Sequence, residues 1–181
     1  EGAGAITDVL YGAYNPTGKL PMSFPYCVGQ VPVHYNEYAT GRPHVEGKDK
    51  DRFRSKYLDI PNEPLYPFGY GLSYTTFAVS EVSLDKNSMK DGESIQAAVT
   101  VKNTGTCAGT ETVQLYLHDV AASVVRPVKE LKDFRKVTLQ PGEETSVEFT
   151  ITEPQLRFLS ENHIFESEAG VFVVFIGTDS A

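Results

Sequence analysis

The 181-residue chain contains no tryptophan, two cysteines, two methionines and no apolar run of eighteen residues or more. The last absence excludes a membrane-spanning helix. Cys27 and Cys107 are too few for a disulfide framework, and their spacing suits no zinc site. Both read as small buried apolar residues. A basic excess is missing too. Sixteen Lys and Arg face twenty-four Asp and Glu, a net charge of −8, which offers no footprint for nucleic acid or an anionic membrane. A solvated acidic surface is the expectation. An initiator methionine is also absent. The chain opens Glu1-Gly2-Ala3-Gly4-Ala5 and enters what reads as the middle of a folded unit. It is expected to be a piece of a longer polypeptide, so the lack of a signal peptide carries no information.

What is present falls into three textures. In residues 1–25, Ala3, Ile6, Val9 and Leu10 recur at helical spacing and Gly12 is a plausible stop. Asn15-Pro16-Thr17-Gly18 is a turn, and Lys19 to Pro25 is a proline-bounded extended segment. One short helix and one such segment cannot bury a core, so this region reads as the tail of a larger domain. Residues 26–74 are irregular, with five prolines and a charged centre from Glu46 to Arg52. They also hold Tyr35, Tyr38, Phe53, Tyr57, Tyr66, Phe68, Tyr70 and Tyr74, too many aromatics for a free linker. An ordered strap lying on other protein surface is the reading. Residues 75–181 alternate as short strands. Ile95, Ala97, Val99 and Val101 share one face, as do Val113, Leu115 and Leu117, and Val147, Phe149 and Ile151. Turns fall at Lys90 to Glu93, Asn103 to Gly105 and Gln140 to Glu143, and Val171 to Gly177 is apolar on both faces. Pro154 to Leu159 reads as a short helical or irregular crossover. This spacing of strands and turns predicts a β-sandwich.

Chemistry is sparse. His34, His44, His118 and His163 are isolated, and none lies in a metal-binding pattern. His118-Asp119 reads as an exposed strand-end pair rather than a general base. Asp49-x-Asp51 starts like a calcium loop but fails at Phe53, with no glycine at position six and no glutamate at position twelve. Gly2-x-Gly4 lacks the rest of a phosphate loop, and no G-x-S-x-G elbow occurs. A catalytic carboxylate pair is defined by separation in space, which sequence spacing does not supply.

Several longer motifs carry a family resemblance. Ala5 to Gly12 followed by Tyr14-Asn15-Pro16-Thr17-Gly18-Lys19-Leu20-Pro21-Met22-Ser23-Phe24-Pro25 resembles the end of the second, α/β domain of family 3 glycoside hydrolases. Pro64-Leu65-Tyr66-Pro67-Phe68-Gly69-Tyr70-Gly71-Leu72-Ser73-Tyr74-Thr75-Thr76-Phe77 resembles the entry to that family's third domain. Val101 to Gly105, Gln114-Leu115-Tyr116, Arg126 to Phe134 and Leu139 to Glu143 are similar to its fibronectin-III-like domain. Val28 to Asn36 and Thr40 to Pro43 are similar to its periplasmic β-glucosidase branch.

The resemblance implies a mainly β chain: a fibronectin-III or immunoglobulin-like β-sandwich over 75–181, a strap over 26–74 and a helix–strand remnant of an α/β domain over 1–25. It implies a parent enzyme that hydrolyses β-glucosides or related oligosaccharides with retention, through an Asp nucleophile and a Glu acid/base. Both carboxylates lie N-terminal to Glu1, so no catalytic residue is expected here and the chain alone should be inactive. No cofactor and no metal site are expected, the partner is the parent's catalytic domains, and the location is periplasmic or secreted. Tyr38 and Arg42 are the candidates for residues near the substrate, Arg42 as a multi-donor fork for sugar hydroxyls. The rival role for Arg42 is an anchor paired with a carboxylate. The alternative for the whole chain is a free-standing carbohydrate-binding or adhesion sandwich, which the lack of Trp and the crowding of tyrosines into the strap weaken.

Overall fold

Alternation of apolar and polar side chains sets up two antiparallel sheets. The computed structural model describes residues 2–45, 47 and 51–181. In the first sheet β3 (Ser94–Asn103) is central. Along one edge lie β1 (Phe77–Val79) and β2 (Ser83–Leu84), end to end, with Val79 opposite Val101 and Leu84 opposite Ala97. Along the other runs β6 (Glu144–Thr152), in register from Ser94–Thr152 to Lys102–Glu144. The second sheet places β4 (Gly109–Asp119) between β5 (Glu130–Leu139) and β9 (Phe172–Gly177). The chain changes sheet between β3 and β4 and again between β5 and β6, and the two layers form a sandwich. A four-residue helix, α2 (Glu153–Leu156), and a small hairpin of β7 (Phe158–Leu159) and β8 (Phe165–Glu166) follow β6.

The core is the inward face of both sheets. Val99, Val101, Val113, Leu115, Phe149 and Ile151 are buried, with Ala97, Leu117, Leu139 and Val147. These are the alternating positions of the sequence. Asn103 closes one end of the sandwich. Its amide donates to Cys107 O and Leu139 O at 2.9 Å, and its carbonyl accepts from Thr75 Oγ1 at 2.6 Å and Gly105 N at 3.0 Å. A buried amide with all four bonds made fixes the loop between the sheets.

Residues 2–10 form the helix α1 (Gly2–Leu10), and Gly12, at φ 76°, follows its end. None of its residues is buried, and Ile6, Leu10 and Tyr11 are exposed. The extended segment beyond it pairs with the strap: Phe24 and Tyr66 exchange backbone bonds, Gly69 N donates to Leu20 O and Leu20 N to Tyr70 O.

Three expectations change. Gln114 and Tyr116, on the polar side of the β4 alternation, are 3% and 1% exposed, because the strap covers that face. His118 is half-buried and Asp119 buried, so they are no exposed pair. Cys27 is exposed rather than buried, and Cys107 is half-buried. Four residues of the charged centre, Glu46, Lys48, Asp49 and Lys50, lie outside the described residues, and with them the calcium-loop start.

Candidate functional site

The strap is riveted to the sandwich through aromatic and amide contacts. Tyr35 stacks on Phe68, centroids 4.4 Å apart, and meets Tyr116 edge-on at 5.8 Å. Such ring pairs add about 0.5–1.5 kcal/mol beyond area burial. Tyr116 donates to Gln114 Oε1 at 2.5 Å, and Gln114 Nε2 to Thr178 O at 2.6 Å. Burial, then the neighbouring Tyr35 and Asp179, pushes the Tyr116 phenol far above its ordinary range, so it stays a neutral donor. Gly69 sits directly over Gln114. Its φ is 83°, and a Cβ there would lie 2.5 Å from the amide oxygen, so only glycine fits.

Two further amides pin the strap from within. Gln30, 1% exposed, accepts from Tyr26 N at 2.8 Å and donates to Glu63 O at 3.0 Å, with Pro61 O and Asn62 O at 3.3 Å. Asn15 joins three segments: its amide donates to Ala108 O at 2.9 Å, and its carbonyl accepts from Ser73 Oγ at 3.0 Å and Tyr74 N at 2.8 Å. Lys19 reaches Glu111 at 2.5 Å, with both side chains largely buried. The turn signal at Asn15 was visible in sequence. The tethering role of its side chain was not, and Gln30 carried no sequence signal at all.

On the outer side, strap and sandwich enclose a groove of about 670 Å³ lined by Tyr38, Thr40, His44, Tyr57 and Lys129 among others. Tyr38 forms a bridge with Pro127, next to a bond from Val128 N to Glu37 O, and its ring stays 62% exposed. Burial lowers the Lys129 pKa against the opposing pull of Asp179, and its ammonium donates to Ser180 O at 2.7 Å. Arg42 does not line the groove. Its carbonyl accepts from Ser55 N at 2.8 Å, and its guanidinium lies 5.9 Å from the Phe53 ring centroid. Among the described residues no carboxylate pairs with it. Tyr38 and Arg42 therefore share a loop, and of the two only Tyr38 lines this groove. Also among the described residues, no three His, Cys, Asp or Glu side chains gather as metal ligands. The groove offers exposed rings and donors, the chemistry of a border to a polyhydroxylated ligand or of a docking face.

Residues 1–74 match the glycosyl hydrolase family 3 C-terminal domain, and residues 111–180 match a fibronectin type III-like domain. The chain is 52% identical to a periplasmic beta-glucosidase of Salmonella typhimurium over 181 residues, all of this chain and 24% of that protein. It is 40% identical to a putative beta-xylosidase of Formosa agariphila over 95% of this chain and 21% of that one. Among solved structures, a beta-glucosidase from Listeria innocua in complex with glucose superposes with a TM-score of 0.91 at 50% identity, over 97% of this chain and 24% of its own. The chain thus spans about a quarter of the length of the relatives it matches.

Proposed function

From a chain that belongs to glycoside hydrolase family 3, as its C-terminal part with the fibronectin type III-like domain, we propose that the whole protein is a retaining β-glucosidase. This chain is its non-catalytic tail. The observation that carries the reading is the match to beta-glucosidases along nearly the full chain, at 50% identity or more. The nucleophile and acid/base then lie in the preceding domains. The strap holds the sandwich against them, and its exposed rings, Tyr26, Tyr57, Tyr66 and Tyr74, supply the docking face. Tyr38 and Arg42, exposed on one loop, border the substrate cleft. Periplasmic or secreted placement follows the Salmonella relative.

The test is hydrolysis of aryl β-glucoside and β-xyloside by this chain and by the whole protein. Turnover by the whole protein alone, faster on the glucoside, is the expected result. Turnover by this chain after repurification overturns the non-catalytic assignment, and preference for the xyloside overturns the substrate. In the whole protein, Arg42→Ala raises KM several-fold with kcat nearly kept, since a hydrogen-bonding fork lost from ground and transition state alike weakens binding. An unchanged KM removes Arg42 from the cleft.

A further inference from the structure

Two arginines of the loop that follows Tyr38 meet opposite fates. Arg42 is exposed, and its guanidinium faces the Phe53 ring at 5.9 Å. Arg54 is turned inward, its side chain 22% exposed. Its Nε donates to Asp51 Oδ2 at 2.9 Å and its Nη1 to Pro43 O at 3.0 Å. A guanidinium is a rigid planar fork, so bonds to two acceptors fix how far apart those acceptors stand.

The acceptors lie on different limbs of the loop. Residues 40–43 make one limb and residues 51–55 the other. Ser55 joins them too. Its N–H donates to Arg42 O at 2.8 Å, its Oγ accepts from Thr40 Oγ1 at 2.9 Å, and its backbone forms a bridge with Pro43. On the second limb Asp51 Oδ1 accepts from Phe53 N at 3.2 Å, an Asx turn that sets the chain direction. Side chains then alternate, as extended backbone requires. Phe53 points outward, 72% exposed, and Arg54 points inward.

Three consecutive residues thus act on Arg42. Phe53 faces its guanidinium, Ser55 takes its carbonyl, and Arg54 takes the carbonyl of the residue after it. That next residue is Pro43, which confines Arg42 to extended backbone. A long side chain whose root is fixed beforehand loses less freedom when it binds.

We infer that Arg54 is a positioning residue for the glycosidase reaction: through Pro43 O and Asp51 it sets where the Arg42 guanidinium stands at the cleft, without touching substrate itself. The inference rests on the reading that Arg42 borders the cleft. The two side chains divide the work. Arg42 presents its fork to sugar hydroxyls, and Arg54 spends its own on the loop.

The test is a double-mutant cycle in the whole protein, with KM and kcat measured on an aryl β-glucoside. Arg54→Ala should raise KM at least about threefold and keep kcat within about twofold, the split expected when binding weakens alike in ground and transition state. In an Arg42→Ala background the same change should move KM by less than about 1.5-fold, because the group to be positioned is gone. Arg54→Lys replaces the fork by a point charge, which keeps the attraction to Asp51 but not the span to Pro43. Its KM should fall between those of wild type and Arg54→Ala, and if Arg54→Ala does not fold, the cycle is run with Arg54→Lys. A wild-type KM in the Arg54 variants, beside a raised KM in Arg42→Ala, overturns the inference and leaves Arg42 at the cleft. An equal rise in both backgrounds also overturns it, since Arg54 would then act on the strap at large. An unchanged KM in Arg42→Ala overturns the reading underneath, and the inference with it.

Discussion

Single polar residues decide how the strap is held. Gln30 serves four backbone groups from one buried side chain. Gln30→Ala strands those groups, and at about 1 kcal/mol per lost bond the chain should lose about 2–4 kcal/mol in denaturant unfolding. Glu153 gives a pH-dependent case. The side-chain bond from Arg157, then that from Ser167, holds its carboxyl below the ordinary 4.5. A depressed folded value stabilises the fold fully above pH 4.5, and the contribution fades as pH falls through the folded value. The melting temperature of Glu153→Gln should therefore lie below wild type at neutral pH, and the two should converge in acid. A gap that persists unchanged into acid would assign the effect to packing instead.

At the scale of elements, the contact between the strap and the second sheet dominates. Tyr35 is wedged between Phe68 and Tyr116, and its hydroxyl also accepts from Leu131 N at 3.4 Å. Tyr35→Ala should cost about 1.5–3 kcal/mol and expose Tyr116, read as a red-shifted tyrosine signal on solvent perturbation. Gly71→Ala should destabilise for a different reason, since its Cβ would collide with the backbone carbonyl of Gly18, which has no rotamer to escape into. A melting temperature within a degree or so of wild type would show that the 18–20 segment can yield. The strands of the first sheet were legible because period-two alternation is local. Ala97, Val99 and Val101 pointed inward as their spacing required. The outer face of β4 was not legible. Its cover comes from Tyr35 and Phe68, tens of residues upstream, and no local pattern announces that Gln114 and Tyr116 lose their solvent.

At the scale of the whole molecule, the order of the strap was legible and the groove beside it was not. Aromatic density marked residues 26–74 as ordered, and Tyr38 lies on a groove. Arg42 does not, because its loop turns the guanidinium over Phe53, a turn that composition cannot reveal. The docking role of the exposed rings has a direct check. Tyr57→Ser should lower the melting temperature of the whole protein by several degrees more than that of this chain, where the residue is 38% exposed and its hydroxyl donates to Gln30 O. Equal effects in both would show that the ring acts within this chain.

Asn15 bonds at once to Ala108, Ser73 and Tyr74, and this bears on how such genes recombine. A crossover that grafted the strands alone onto a foreign neighbour would leave behind the turn that ties them and the rings that shelter Tyr116. The unit able to travel intact between genes begins upstream of Asn15, so shuffling should carry the strap and the sandwich together.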